Sequence, residues 1–413
     1  MFNYKNKQTA GALLGEGGYG CVFRPNLRCE EGQFSEKDSR FISKLVNSEN
    51  EYEEYDNFEK FKFRNIDPNQ KYLVYPLAKC NIPNNVKEDD LNKCGVIRRS
   101  YHNDSSRSSR SSRGSSKTQR YRNYISDKFT NIIQKYSGES LDKHRKKNRI
   151  YECKDYVLMY LSIMKGVLLL NVNNLSQRDI KLANVVVNER EGKYVAKLID
   201  YSIQAQFVDD IDQIDNDWAN FSKSEYEIWP LDLTIYCSVD GGSYNRFKER
   251  VDLGKNITDK IQIVLKIADE LLNWREYEEV WVLSSQHLRK LYTSCVEFLT
   301  DLFIKGKFTE DNKLDKNIQK KWDVFMIGCL LSRELKEQRI EDDDGDLDSF
   351  FEEFALLIMT MTTLHPIERI SIHDCITAFM ELLNKYRLEL ELDRKTLEEE
   401  QDEIDTILEE KKV

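Results

Sequence analysis

The sequence lacks the features that mark several common protein classes. Its 413 residues contain no apolar run long enough to span a bilayer, and the longest candidate is the short run 167–170. Residues 1–7 lack the apolar core of a signal peptide, so we expect a cytoplasmic protein. A net charge of −10 and a pI near 5.3 exclude a globally basic nucleic-acid-binding protein.

Regular spacing of metal-binding or disulfide-forming residues is also missing. The nine cysteines are dispersed without a C-x-x-C pair, and the five histidines show no metal spacing. We therefore predict reduced, buried thiols rather than a disulfide framework or a zinc site. The hydrophobic fraction of 40% is sufficient for a sizeable core, and the length allows two or three domains.

Glycine is concentrated near the N-terminus in a G-x-G-x-x-G-x-V pattern formed by Gly15, Gly17, Gly20 and Val22. Glycines let backbone N–H groups approach phosphate oxygens closely. In a dinucleotide-binding fold a helix follows this pattern, but here the next residues favour a strand and Pro25 forbids an ordinary helix interior. The pattern predicts a nucleotide-covering loop within a β-hairpin, and a plain β-turn is the alternative.

A lysine lies in the middle of the next β-prone run, 40–46. A lysine on a strand more often faces solvent, but if the glycine-rich hairpin precedes this strand, Lys44 is placed to reach the α- and β-phosphates of a nucleotide. An acidic helical stretch follows, from which a carboxylate would hold Lys44. We choose Glu54, because Phe58 four residues later shares its helix face and would pack inward; Glu51 is the alternative.

The sequence around residue 180 contains Asp179, Lys181 and Asn184 in the order D-x-K-x-x-N, and Asp200 follows sixteen residues after Asn184. Phosphoryl transfer needs a carboxylate that orients the acceptor hydroxyl, a cation on the transferring phosphate, and oxygen ligands for Mg²⁺. These four side chains supply those groups. Further along, Asp323 lies in an apolar helix, where a buried carboxylate is expected to accept hydrogen bonds from backbone amides near this loop.

Three segments carry less definite signals. A Ser/Arg tract at 104–117, within an insertion at about 100–120, has no apolar residues and is predicted to be disordered. It is a phosphorylation substrate, a hook for RNA or an acidic partner, or a flexible insertion. Residues 233–321 are packing bulk or a docking platform. The charged residues 387–413 are predicted to be a solvated helix or tail.

Taken in chain order, these motifs resemble the eukaryotic-type serine/threonine protein kinases from about Leu14 to Phe379. The segments around 17–25, 66–69 and 229–232 resemble kinases of large cytoplasmic DNA viruses such as iridoviruses and mimiviruses. The resemblance implies an α+β bilobal fold: a β-rich N-lobe over 1–137, a helical C-lobe over 138–386 with the insertion 233–321, and nucleotide between them.

The same resemblance implies an enzyme that uses ATP and Mg²⁺. The three glycines and Val22 would cover the nucleotide, Lys44 held by Glu54 would bind its phosphates, and Asn184 and Asp200 would hold the metal. Asp179 would act on the substrate hydroxyl while Lys181 steadies the γ-phosphate. A strand at 128–138 would lead into a linker whose backbone near Tyr136 bonds the adenine edge, with Gln134 behind the base.

Several positions depart from the kinase pattern. Gln177 replaces the usual histidine, Ser202 follows Asp200 and Tyr201 where glycine is usual, and Asp232 is the expected partner of Arg369. The main alternative is a pseudokinase scaffold that binds nucleotide and partner proteins without transfer. A small-molecule or lipid phosphotransferase on the same fold is a further alternative, and RNA binding through the Ser/Arg tract is a weaker one.

Overall fold

The computed structural model describes residues 12–409 with gaps at 18–19, 28, 30–33, 35–37, 48–51, 83–90, 108–116, 148–151, 191–192, 202–204, 208–228, 237–241, 275–284, 311–312 and 337–346. The fold is mixed α+β, with a small antiparallel sheet in the N-terminal region and a larger helical C-terminal part. Two compact units result: Met1–Gly138 with Ile199–Ile203, and Glu139–Leu198 with Gln204–Val413.

The first unit contains a five-stranded antiparallel sheet in the order β1-β2-β3-β5-β4. Its strands are β1 (Ala12–Glu16), β2 (Gly20–Arg24), β3 (Phe41–Asn47), β4 (Pro76–Cys80) and β5 (Phe129–Lys135). Its helices are α1 (Tyr52–Lys60), α2 (Phe63–Ile66), α3 (Gly95–Arg107) and α4 (Lys117–Lys128). The predicted hairpin around the glycine pattern is confirmed, and so is the predicted strand that carries Lys44.

The two faces of this sheet differ in chemistry. Directly paired residues of antiparallel strands share a face, so the pairs Val22↔Lys44 and Lys44↔Ile132 place three neighbouring side chains on one side. The other side presents Cys21 and Phe23, which pack in one apolar cluster with residues of α3 and α4. The candidate phosphate-binding lysine and the two covering helices therefore belong to opposite faces.

The prediction of reduced cysteines is wrong for the first unit. Disulfides join Cys21 to Cys94 and Cys29 to Cys80, with sequence separations of 73 and 51 residues. Spacing along the chain could not indicate these pairs, because it is the sheet and α3 that bring the distant sulfurs together. Among the described cysteines of the second unit the prediction is right: four are free and buried.

The predicted disorder at about 100–120 is contradicted at both ends of that segment. Helix α3 continues to Arg107 and α4 begins at Lys117, while 108–116 lie outside the described residues. The reason is that apolar residues flank the tract: Ile97 precedes it and Ile125 follows it, and both are buried against the sheet. Burial of this flanking surface stabilises helices in which the serine-rich residues take part.

The β-prone run 71–76 predicts a strand. This prediction is displaced, since β4 begins only at Pro76. The carboxylate of Asp67 accepts hydrogen bonds from the backbone N–H groups of Lys71, Tyr72 and Leu73, at 2.8, 2.8 and 2.9 Å. A carboxylate that binds three successive amides holds them in a turn and removes them from any sheet ladder.

The second unit is mainly helical. Its longer helices are α5 (Leu141–Lys147), α6 (Cys153–Val172), α8 (Gly242–Asp252), α9 (Ile257–Trp274), α10 (Ser285–Phe303), α12 (Trp322–Lys336), α13 (Asp348–Met361), α14 (Ile372–Lys385) and α15 (Arg394–Glu409), with α7 (Leu231–Tyr236) and α11 (Lys316–Gln319) shorter. Short strands complete it: β6 (Glu139–Ser140), β7 (Leu175–Ser176), β8 (Val185–Arg190), β9 (Lys193–Leu198), β10 (Ala205–Gln206), β11 (Thr309–Glu310) and β12 (Lys313–Leu314).

The apolar run at roughly 155–171 predicts a long helix that leads to the loop of Asp179, and helix α6 confirms it. Within the described part of the chain it alone has the length and composition that could cross a membrane, and most of its apolar stretch is buried inside the protein. Two residues separate its end at Val172 from the start of β7 at Leu175, and β7 leads directly into the loop that carries Asp179. Core packing of α6 thus fixes the start of that loop.

The predicted helix in the charged segment 387–413 is confirmed as α15, but it is packed onto α6 and is not solvated on all sides. Ile404 and Ile407 are buried, and the ammonium of Lys165 on α6 pairs with the carboxylates of Glu400 and Glu403. Lys165 is itself almost fully buried, so its charge needs these two partners. Leu397, Ile404 and Ile407 are spaced by seven and three residues, which places them on one face of the helix.

Candidate functional site

The predicted site residues form two groups, one in each unit. In the first unit the ammonium of Lys44 lies 3.5 Å from a carboxylate oxygen of Asp200, although 156 residues separate them in sequence. Lys44 lies in the middle of β3, flanked by β2 and β5, so its backbone is fixed on both sides. Asp200 follows β9 in the segment Ile199–Ile203, which is part of the first unit.

The backbone at Asp200 is unusual, with a φ of 62°. A positive φ is uncommon outside glycine, costs about 1–3 kcal/mol when it is strained, and concentrates at functional sites. The next residue, Tyr201, is fully buried with its ring 4.7 Å from that of Phe63, and Phe58 packs in the same aromatic group. The prediction that Phe58 packs inward is confirmed. Ser202 lies outside the described residues.

The glycine pattern joins β1 to β2, and its members have different surroundings. The N–H of Gly17 donates to the carbonyl of Gly20 at 2.9 Å, and a Cβ added to Gly17 would meet no atom within 4 Å. A Cβ added to Gly20 would lie 2.1 Å from the Leu45 carbonyl oxygen. Gly20 is thus required by the close approach of β2 to β3, whereas the space beside Gly17 is open. Gly15 lies where the β1–β2 register shifts.

The strand β5 and the residues after it position Gln134 and Tyr136. Gln134 is buried and pairs with Ile42 of β3. The N–H of Tyr136 donates to the carbonyl of Arg40 at 2.7 Å, so a base that hydrogen-bonds here needs another backbone group or the release of this bond. Sequence reasoning missed Arg24, whose guanidinium lies 3.4 Å above the Tyr136 ring, a cation–π arrangement.

Glu54, the predicted partner of Lys44, lies on helix α1, but its side chain is outside what the structure describes, as is Glu51. The pairing of either carboxylate with Lys44 therefore stays a prediction.

In the second unit, Asp179, Lys181 and Asn184 form one hydrogen-bonded group. A single carboxylate oxygen of Asp179 accepts from the Lys181 ammonium at 2.8 Å and from the Asn184 amide at 2.7 Å. The same amide also donates to the Asp179 carbonyl at 3.0 Å. These bonds fix the rotamer of a nearly buried carboxylate. They use the NH₂ end of Asn184, and its amide oxygen is the kind of ligand that hard cations prefer.

The loop before Asp179 is held by the buried carboxylate of Asp323, as predicted. Its two oxygens accept from the backbone N–H groups of Gln177 and Arg178, each at 2.8 Å. Burial raises the pKa of Asp323, and the two amide bonds oppose that rise. Arg178 has a φ of 61°, so a second residue of the candidate site has a left-handed backbone.

A buried polar network extends from this loop. The Arg369 guanidinium donates to Asp232 at 2.7 Å, which confirms the predicted pair. Two tryptophans that sequence reasoning did not select complete the network: the Trp322 indole donates to Asp232 at 2.7 Å, and the Trp229 indole donates to the Arg178 carbonyl at 2.8 Å. The position of Trp229 three residues before Asp232 was the available signal, since both belong to the segment 229–232.

Among the described residues, no group of three or more His, Cys, Asp or Glu side chains is close enough to hold an ion. Asn184 and Asp200 have the oxygen donors that Mg²⁺ prefers, and Mg²⁺ typically takes few protein ligands together with substrate phosphates.

No protein-family model matches the chain, and no curated protein matches it. The resemblance to kinases therefore rests on the sequence motifs.

Proposed function

We propose that this protein is an ATP-dependent kinase with a bilobal kinase fold that phosphorylates serine and threonine hydroxyls of proteins. The observation that supports it most is the 3.5 Å approach of Lys44 to Asp200. A lysine and an aspartate so far apart in sequence meet on the sheet face that also carries Val22, beside the glycine hairpin. A site for a nucleoside triphosphate requires this combination: a cation, a carboxylate, and a backbone that can approach phosphate closely.

In this proposal the first unit binds the nucleotide. Gly15, Gly17 and Gly20 cover its phosphates, and Lys44 binds the α- and β-phosphates. Asp200 would hold Mg²⁺ with its carboxylate, which is 30% exposed and paired only loosely with Lys44. A pair at 3.5 Å can exchange its partner for a ligand more readily than a short, buried one, because less interaction energy is lost.

The second unit acts on the acceptor. Asp179 orients the hydroxyl and accepts its proton, and Lys181, already bonded to Asp179, stabilises charge on the transferring phosphoryl group. Asn184 contributes its amide oxygen to the metal. ATP supplies the phosphoryl group and Mg²⁺ offsets its negative charge when both are bound.

The test is a transfer assay with the full chain, Mg²⁺ and radiolabelled ATP, with a generic basic protein as acceptor. Asp179→Asn and Asp200→Asn should each reduce transfer by at least about 10²-fold, because each removes a group that acts in the transition state. Asp56→Asn is a matched control, since Asp56 is exposed on α1 and has no role in the proposed reaction. It should retain the wild-type rate.

Loss of transfer must be separated from loss of folding, so thermal unfolding of each variant is measured alongside. If both Asp179→Asn and Asp200→Asn transfer phosphate at the wild-type rate, the proposed roles are wrong. If the wild type binds ATP but transfers no phosphate to any acceptor with Mg²⁺, the protein is a nucleotide-binding scaffold instead.

A further inference from the structure

The helices α3 and α4 form a basic element in an acidic protein. Together they contain seven arginine or lysine residues and two aspartates, which gives a net charge of +5 in a chain whose total is −10. Five of the seven basic residues are arginine. We call these two helices the basic hairpin. Such a local excess of positive charge attracts polyanions even when the whole protein is negative.

The hairpin is anchored by its apolar side. Ile97, Tyr121 and Ile125 are buried in the cluster that contains Cys21 and Phe23 of β2. The Cys21–Cys94 disulfide attaches the chain to the sheet immediately before α3 begins. The basic element is therefore a folded part of the first unit.

The opposite side of the hairpin faces solvent. Arg98, Arg99 and His102 on α3 and Asn123 on α4 are exposed. Arg99 also donates to Glu16 at 2.9 Å, and the guanidinium remains largely exposed. Since the hairpin covers the sheet face opposite to Lys44, this surface is separate from the candidate phosphate-binding residues of the same unit.

Aromatic rings lie beside these charges. The ring of Tyr101 is 5.3 Å from that of Tyr124 and 6.2 Å from that of His102, and all three are at least partly exposed. Planar rings next to arginines offer stacking surfaces to unpaired bases, while guanidinium groups bind phosphates bidentately. A membrane surface fits less well, because the hairpin's buried isoleucines are not available for insertion.

We propose that the basic hairpin binds single-stranded RNA. RNA is favoured over DNA because it is recognised mainly as single strands with accessible bases. The inference does not depend on phosphate transfer, so it can be tested separately from the proposed kinase activity.

The experiment measures fluorescence anisotropy of a labelled 12-nucleotide oligouridine with the full chain under non-reducing conditions, at several salt concentrations. The test variant carries Arg98→Gln, Arg107→Gln, Arg120→Gln and Arg122→Gln. The control variant removes the same charge from exposed positions of the second unit: Arg246→Gln, Lys266→Gln, Arg289→Gln and Lys290→Gln.

The test variant should bind at least about tenfold more weakly than wild type, and the slope of log K against log salt should decrease by about 2 to 3, because each phosphate contact on a single strand contributes about 0.7. The control variant should match the wild type. Equal affinity and slope in the test variant would overturn the proposal, as would equal weakening of both variants.

Competitors identify the partner. Unlabelled oligouridine should displace the probe at lower concentration than single-stranded DNA of the same length, polyglutamate or phosphatidylserine vesicles. A competitor that is better than RNA would replace RNA as the partner. If the test variant does not fold, ultraviolet cross-linking of wild type to 4-thiouridine RNA decides: cross-links in 95–107 or 117–128 support the proposal, and cross-links confined to other residues overturn it.

Discussion

Two ion pairs show how differently the two units use charge. In the second unit Arg369 and Asp232 lie 2.7 Å apart, and both side chains are 0% exposed. In the first unit Lys44 and Asp200 lie 3.5 Å apart with side chains 21% and 30% exposed. Asp232 also accepts from the Trp322 indole, and Arg369 also donates to the Thr363 carbonyl.

The difference follows from desolvation. A charge removed from water costs several kcal/mol unless partners replace the water, so a buried pair is maintained only where short bonds compensate for most of that loss. A half-exposed pair has no such requirement and can accept a ligand in place of one partner. The first kind of pair stabilises a fold, and the second is available for binding. Four predictions test this contrast.

The largest effect is expected when the buried pair is broken. Arg369→Met leaves the Asp232 carboxylate buried without its counter-charge and should lower the free energy of unfolding by about 3–5 kcal/mol. Urea denaturation measures this. Arg394→Met is the matched control, because Arg394 pairs with Glu398 at the surface, and it should change stability by less than about 0.5 kcal/mol. Equal losses from both variants would show that burial does not set the cost.

The next effect concerns the half-exposed pair and rests on the proposed kinase activity. Lys44→Met should reduce phosphate transfer by about 10²- to 10³-fold, because the nucleotide phosphates lose their cation. Single-turnover transfer with Mg²⁺ and ATP measures it. Lys79→Met, which removes a lysine from β4 of the same sheet, should transfer at close to the wild-type rate. A comparable loss in Lys79→Met would assign the effect to the sheet and not to Lys44.

A third cluster, Asp301 with Lys305 and Lys307, has a carboxylate that lies between the two pairs in burial, and its contribution to stability should depend on pH. Burial alone would raise the pKa of Asp301, but hydrogen bonds from Lys305 and Lys307 prevail and lower this pKa to about 2; His365 also lies 3.6 Å away. Because the folded pKa is below the unfolded one, the contribution is present above about pH 4 and is lost as pH falls towards 2.

Asp301→Asn should therefore remove about 2 kcal/mol from the difference in unfolding free energy between pH 5 and pH 2. Acid titration of thermal unfolding for wild type and variant gives this value. Identical pH profiles would show that the lysines do not stabilise the ionised carboxylate.

The smallest effect is on stability at the half-exposed pair. Lys44→Met should change the free energy of unfolding by no more than about 1 kcal/mol, because the pair is loose and partly solvated. The same urea experiment measures it, alongside Arg369→Met. If Lys44→Met lowers the free energy of unfolding by about 3 kcal/mol or more, Lys44 stabilises the fold and its assignment to binding is weakened.

Local patterns in the sequence predicted a good part of this architecture. The glycine hairpin, the strand of Lys44 and helix α6 follow from residue preferences over short stretches. The amide bonds of Asp323 also followed, because a buried charge restricts what can surround it, and the Asp232–Arg369 pair followed from the resemblance to the kinase pattern. The roles of Asp179, Lys181, Asn184, Glu54 and the nucleotide-binding residues stay predictions.

The errors share one cause, which is that tertiary proximity decided the outcome. The disulfides join sulfurs that only the folded sheet brings together, and the helices at the ends of the Ser/Arg tract depend on packing by residues outside it. The turn at 71–73 depends on a single carboxylate several residues earlier. Composition and periodicity within a short window contain none of this information.

The strand order of the first unit has a consequence for biosynthesis. Strand β5 lies between β3 and β4 in the sheet, yet the ribosome makes it after both of them and after the two helices of the basic hairpin. Until residues 129–135 have emerged, β3 lacks a neighbour on one side and β4 has none in this sheet. The nascent chain thus exposes open strand edges over a long stretch of translation, the period in which mispairing with other chains is most easily started.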